Sequence, residues 1–354
     1  MKKKVCILFG GESSEYEISL KSAYSILTNI DKKMFDIITV GIARNGKWFL
    51  YEGNYEKIPQ DKWQDDSLCP VSILHGLKES ALLVMKADGT YEKISFDVAF
   101  PVLHGKNGED GTVQGLFELS GIRYVGVSTL SSSVGMDKTF SKLVFENAKI
   151  PQADWVVIAR HELSDIDKKI DEIESKLGYP VFIKPANAGS SIGIGKAKSR
   201  DELLDAIDKA MKHDRKILVE EFLTGHEVEC AVLGNRGNLT VSCVGEIVAS
   251  QEFYTYDAKY NSDCPSTLYI PAKIDDKFSE KVRQYAKLAF EALDAKGLSR
   301  VDFFVDETKD KVWLNEINTL PGFTNISMYP KLLEASGVKY ADILTKLISI
   351  AFED

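Results

Sequence analysis

Short apolar runs alternate with amphipathic stretches through the first third of the chain. Val5 to Phe9 is an apolar run of strand length that meets Gly10-Gly11-Glu12. Beyond it Ile18, Ala23, Leu27 and Ile30 recur at helical spacing, and Ser14 with Glu17 has the pattern of a capping box at that helix's start. Asp36 to Ile42 and Asp97 to Leu103 read as further strands. The second runs into the polar loop "HGKNGEDG", and "TVQGLFELSG" then reads as a helix that stops at Gly121. Strands alternating with helices predict a parallel α/β sheet. Ligands of such sheets gather beyond the carboxyl ends of the strands. Both "GGESSE" and "HGKNGEDG" occupy such ends.

The pattern then changes. A Ser-rich passage, Leu130 to Lys138, leads into a new helix. "GYPVFIKPANAGSSIGIGKAKS" reads as strand, Gly/Ser loop, strand. A helix over Arg200 to Lys212 and a strand over Ile217 to Glu221 complete a small α+β unit. The last third is richer in strands: Glu229 to Gly234, Leu239 to Val248, Val301 to Val305 and Val312 to Ile317. It ends in an amphipathic helix over Tyr340 to Phe352. The polar stretch from Gln251 to Pro271 has no period, and an ordered loop of that length is usually a lid or binding loop.

Composition narrows the class. The 354 residues exceed one ordinary domain. A net charge of −9 without any basic block argues against a nucleic-acid surface. The start, Met1-Lys2-Lys3-Lys4, is followed by too short an apolar run for an export signal, and no run reaches the ~18 apolar residues of a membrane span. Five scattered cysteines without a C-x-x-C make a disulfide or zinc framework improbable and fit a reducing cytoplasm. Cys6, inside an apolar run, reads as core.

Candidate chemistry sits at strand ends. "SRVDFFVDETKDKVWLNEIN" reads as a hairpin. With its turn centred near Thr308, Arg300 lies opposite Glu316 and Asp302 opposite Leu314, and Asn318 shares their face. An Asp, a Glu and an amide oxygen form a hard-oxygen set suited to Mg²⁺. The adjacent Arg suits a phosphoryl group. The same residues also fit a surface hairpin with solvated charges. Lys184 ends a strand before a loop holding Gly189, Ser190, Ser191 and Gly193. That suits polyphosphate, though the segment is no Walker loop and also reads as a flexible hairpin. Glu220, Glu221 and Glu227 are placed either to hold base and ribose groups or to be solvated. His104 and Glu15 lie in the two strand-end loops, as ligand contacts or as a structural histidine and a helix-start acid. Tyr254, Tyr256 and Tyr260 surround Lys259 in the long loop, which would either close over a site or pack locally.

In their order, "FGGESSEYEISLKS", "FPVLHGKNGEDGTVQG", "MDKTFSK", "FIKPANAGSSIGI", "VEEFLTGHEVECAVLG", "FYTYDAKY", "SRVDFFV" and "NEINTLPGFTNIS" span nearly the whole chain. The chain resembles the D-alanine–D-alanine ligases of the ATP-grasp superfamily, and its N-terminal loops are also similar to those of the D-alanine–D-serine ligases. The resemblance implies three α/β and α+β domains. These are an N-terminal Rossmann-like substrate-binding domain over 1–130, a small central ATP-grasp domain over 131–227, and a C-terminal domain over 228–354 with a lid over 250–272.

The resemblance also implies site roles. ATP and two Mg²⁺ (or Mn²⁺) ions are the expected cofactors, the metals on Asp302, Glu316 and Asn318. Lys138 and Lys184 contact phosphates, and the loop with Ser191 covers them. Glu220 and Glu227 hold adenine and ribose beside Glu221, Phe222 and Leu223. Glu15 binds the ammonium of the first D-alanine in a network with Ser190 and Tyr260, near His104. Lys259 reaches the phosphate from the lid. Arg300 and the Gly322 N–H stabilise developing negative charge. Ser327 binds the carboxylate of the second D-alanine, and Met328 favours its methyl group. D-Alanine and ATP are the implied partners, with no nucleic acid or membrane, in a homodimer of the bacterial cytoplasm. Three positions depart from common family patterns: Tyr16 for His or Arg, Thr255 for Asp, and Ile326 for His. The alternatives are D-serine as second substrate, or a non-catalytic nucleotide-binding protein.

Overall fold

The computed structural model describes residues 2–65, 68–189, 192–248 and 267–353. The expected lid contacts Lys259 and Tyr260, and the loop residues Ser190 and Ser191, lie outside them.

The first sheet contains β1 (Lys3–Gly10), β2 (Phe35–Ile42), β3 (Trp48–Leu50), β4 (Cys69–Ile73), β5 (Ala81–Met85), β6 (Tyr91–Ser95) and β7 (Val98–Val102), in the order β6-β5-β4-β3-β2-β1-β7. Its parallel part is β2-β1-β7, as the strand–helix alternation predicts. Strands β3 to β6 extend it as an antiparallel meander. Among them β5 is itself a five-residue apolar run that the sequence reading passed over, whereas β3, β4 and β6 are short or mixed and gave no such signal. Alternation along β1 sends Val5, Ile7 and Phe9 toward α1 (Tyr16–Asn29), and Cys6 and Leu8 toward α2 (Thr112–Ser120). The capping box does not form: Glu15 is the N-cap and its side chain makes no capping bond to the helix, and Ser13 Oγ instead accepts from Glu15 N–H at 3.1 Å. Gly121 ends α2 in a left-handed conformation, with φ of 68°, as a residue without a Cβ does readily.

The Ser-rich passage is itself helical, α3 (Thr129–Met136), and α4 (Lys138–Asn147) follows. Asp137 caps α4 by accepting from the N–H of Thr139. The second sheet has β8 (Trp155–Ala159), β9 (Val181–Pro185), β10 (Gly195–Ala197) and β11 (Lys216–Glu221), antiparallel in the order β10-β9-β11-β8. Its inner face packs on α5 (Ile166–Lys176) and α6 (Arg200–Ala210) through Ile170, Ile173, Leu203 and Ile207.

The third sheet has β12 (His226–Asn235), β13 (Asn238–Val248), β14 (Thr267–Tyr269), β15 (Gly297–Asp306) and β16 (Lys311–Asn318), antiparallel in the order β14-β13-β12-β15-β16. Val228, Cys230 and Val232 face α7 (Asp276–Ala292), which presents Phe278, Val282, Ala286 and Phe290. The same alternation turns Glu227 and Glu229 to the opposite face. The last helices, α8 (Met328–Ala335) and α9 (Tyr340–Ile350), join the core beneath the first sheet, with Leu332, Leu333, Ile343 and Leu347 beside Val5 and Ile7.

The β15–β16 hairpin corrects one expectation. Arg300 pairs with Asn318 and Asp302 with Glu316, two residues from the expected register. Asp306 Oδ1 accepts from Thr308 N–H and Lys309 N–H, which sets the turn so that Asp306 pairs with Lys311. A bulge then leaves Asn315 extra, because Phe303 pairs with Leu314 while Asp302 pairs with Glu316.

Candidate active site

Two sheet faces enclose a cleft of about 590 Å³, within the usual range of ligand sites. The second sheet contributes Phe182, Lys184, Lys196 and Glu220, which share a face because Phe182 pairs with both Lys196 and Glu220. The third contributes Glu227, Glu229, Asp302, Phe304 and Glu316. Glu221 at the end of β11, with Phe222 and Leu223 on the connection that follows it, also lines the cleft. At one end Phe222 stacks on Phe182 (centroids 5.6 Å, 24° between planes), and Lys196 Nζ lies 3.9 Å over Phe222. That end is flat and aromatic, whereas the other is charged.

The charged end is a set of buried ion pairs. Glu220, 3 % exposed, holds Lys184 Nζ and Lys142 Nζ, each at 2.6 Å. Burial by itself pushes this carboxyl up, but the two ammonium groups outweigh it and bring it down to about 2. Lys184 loses stabilisation on burial yet is raised overall by Glu220 beside it, and its Nζ also donates to Asn315 Oδ1 at 3.1 Å. Lys138, the first residue of α4, reaches Glu316 at 3.2 Å and donates to the Ala188 carbonyl at 3.0 Å. Glu221 is anchored differently, accepting from Asp154 N–H at 2.9 Å.

Arg300 donates from Nε to Asp302 Oδ1 (2.8 Å) and from a terminal nitrogen to Oδ2 (2.7 Å). Burial opposes its charge, but Asp302 and Glu229 hold it well above its ordinary value. Next to it Asn318 Oδ1 is buried with no hydrogen-bond partner among the described residues. A buried acceptor left so costs roughly 1–3 kcal/mol. A hard cation satisfies such an oxygen, and the carboxylates of Asp302 and Glu316 beside it complete an oxygen set of the kind Mg²⁺ takes. The residues therefore fit a divalent cation.

A second group of residues meets at the carboxyl ends of β1 and β7. A Cβ on Gly105 would lie 2.5 Å from Glu15 Oε2, and one on Gly189 would lie 2.7 Å from the same atom. Three loops thus converge on the Glu15 carboxylate, two from the first sheet and one from the second. His104 is buried: Nδ1 lies 3.0 Å from the Leu320 carbonyl and Nε2 3.1 Å from Ser22 Oγ. A carbonyl only accepts, so the network assigns the proton to Nδ1. Glu109 lies 3.7 Å from that nitrogen, and burial raises its pKa despite the His104 contact that lowers it. On the other side, a Cβ on Gly322 would lie 2.8 Å from Ser327 Oγ, which accepts from Thr324 N–H at 3.0 Å. Met328, expected beside the acceptor substrate, points into the core, where its Cε would be 2.5 Å from a Cβ on Gly245.

Sequence reasoning missed Lys142, Glu229, Glu109 and Asn315. Lys142 lies four residues after Lys138 on one helix, and Glu229 two after Glu227 on one strand, so face periodicity carried a signal for both. Glu109 and the bulge at Asn315 had none.

The model described as "D-ala D-ala ligase N-terminus" matches residues 4–127, and "D-ala D-ala ligase C-terminus" matches 144–349. The chain belongs to the D-ala D-ala ligase family. The D-alanine–D-alanine ligase of Acetivibrio thermocellus is 49 % identical over 99 % of this chain and 96 % of its own length. That of Clostridium acetobutylicum is 48 % identical over 99 % and 98 %. Among solved structures, the VanG D-Ala:D-Ser ligase from Enterococcus faecalis superposes with a TM-score of 0.90 at 42 % identity, over 99 % of this chain and all of that one. In this ligase family member, among the described residues, no helix is long and apolar enough to cross a membrane.

Proposed function

We propose that this protein joins two D-alanines into D-alanyl-D-alanine with cleavage of ATP to ADP and phosphate, in building peptidoglycan precursors. The observation that carries this reading is the arrangement of the cleft: an aromatic end for a base, a charged end for polyphosphate, and the Glu15 loop cluster joined through Gly189. Phe222 packs on adenine, Glu220 and Glu227 hold adenine and ribose, and backbone groups near Glu221 and Leu223 assist. Lys138 and Lys184 meet the phosphates, and the loop with Ser191 covers them. Asp302, Glu316 and Asn318 would hold two Mg²⁺ (or Mn²⁺) ions. When bound, the ions supply positive charge to the phosphate oxygens.

Glu15 holds the ammonium of the first D-alanine close to His104, with Ser190 and Tyr260 completing that contact and Lys259 closing on the phosphate. An oxygen of the first D-alanine's carboxylate attacks the γ-phosphorus, ADP leaves, and the acyl phosphate of that D-alanine forms. Arg300 stabilises the charge on the transferred group. The amine of the second D-alanine, held through its carboxylate by Ser327, attacks the acyl carbon. The tetrahedral oxygen is stabilised by Arg300 and the Gly322 N–H, a donor worth about 3 kcal/mol. The amine loses a proton, phosphate departs with the former carboxylate oxygen, and the peptide bond remains. We further assign the domains as 1–130, 131–227 and 228–354, in a cytoplasmic homodimer.

The likeness to the VanG ligase supports a second reading, D-serine as acceptor. Incubation with ATP and equal D-alanine and D-serine, with the dipeptides separated by chromatography, distinguishes the two. D-Alanyl-D-alanine is the expected main product. A majority of D-alanyl-D-serine selects the second reading, and no dipeptide from any D-amino acid pair rejects both.

A further inference from the structure

Three acids stand in one row across the third sheet: Glu229 on β12 is opposite Asp302 on β15, which is opposite Glu316 on β16. Only the last two belong to the oxygen set proposed for the cation. Glu229 is 5 % exposed, and its Oε2 lies 3.0 Å from Arg300 Nε. This contact is an ion pair, since the Nε–H is donated to Asp302 Oδ1 instead. Arg300 thus sits between two carboxylates, and both oxygens of Asp302 accept from it. A guanidinium so placed competes with any cation for Asp302.

We infer that Glu229 is a positioning residue that balances Arg300 and so leaves Asp302 able to bind a divalent cation. With both acids present, the charge of Arg300 is divided between them. Asp302 can turn an oxygen to a cation while Glu229 keeps the guanidinium in place for the phosphoryl group. With Glu229 neutral, Arg300 leans more heavily on Asp302, and releasing that carboxylate is harder. The inference rests on Asp302 being a cation ligand.

The test is Mn²⁺ titration in the presence of ADP, read by electron paramagnetic resonance, on the wild type, Glu229→Gln, Glu229→Asp and Asp302→Asn. Partners of metal ligands typically change metal affinity by about ten- to a hundredfold when removed. Glu229→Gln should weaken Mn²⁺ by that factor, Glu229→Asp by less, and ADP affinity without metal should stay within about twofold. Thermal unfolding of each variant identifies any that fails to fold, and the charge-retaining Glu229→Asp then decides. A Glu229→Gln variant that melts lower but binds Mn²⁺ like wild type, while Asp302→Asn does not, would overturn the inference. If Asp302→Asn also binds like wild type, the cation assignment falls and the role of Glu229 with it.

Discussion

Lys142 is the residue whose importance is most readily measured. It is buried on α4, and its charge partner Glu220 is shared with Lys184. Lys142→Met should destabilise the fold by about 3 kcal/mol, the lower end for breaking a buried pair, because Lys184 stays. The change also has a pH signature. Glu220 is depressed from 4.5 to about 2, so its ionised form stabilises the native state fully above 4.5 and loses that effect as pH falls toward 2. Removing Lys142 raises the folded-state value and narrows that window. Acid unfolding followed by circular dichroism should therefore shift to higher pH, and an unshifted midpoint would contradict the account. At Asp302, substitution by Asn should reduce turnover by orders of magnitude with the fold intact, since charge neutralisation at the phosphoryl group depends on that carboxylate. Near-wild-type turnover at limiting Mg²⁺ would remove the proposed site.

Among the elements, α8 is held in place by a close fit. Met328 at its first turn occupies the space over Gly245 of β13, and Leu332 Cδ2 would lie 2.7 Å from a Cβ there. Gly245→Ala should cost about 1–3 kcal/mol by overpacking. It should also displace Ser327, the residue before the helix. Combining it with Met328→Ala should restore part of the acceptor affinity, because the cause is steric. Kinetics in D-alanine for the single and double variants check this, and strictly additive losses would count against it.

At the scale of the whole molecule, the loop after β9 closes on the loop after β1. Gly189→Ala would put a methyl group 2.7 Å from Glu15 Oε2. The carboxylate would have to turn away from its place between Gly105 and Gly189. The expected result is a KM for the first D-alanine raised about tenfold, equivalent to 1.4 kcal/mol, with KM for ATP little changed. Equal increases in both constants would show a general distortion of the second sheet instead.

Much of this was legible in the sequence, because strand and helix periods are local. The apolar runs marked β1 and most of β12 as strands, and Pro321-Gly322 marked the end of β16. The ordered series of loops from "GGESSE" to "NEINTLPG" carried the family. What local pattern left open was decided by contacts between distant segments. The hairpin register depended on how Asp306 closes its turn and on one extra residue, Asn315, and neither has a periodic signature. The core position of Met328 depended on a notch in another strand, 83 residues earlier by the numbering of Gly245 and Met328. Above all, the charges could be read either as solvated or as a site until the fold buried them together. A Lys or Glu on its own stays in water, and only the convergence of Lys142, Lys184 and Glu220 makes burying them tolerable.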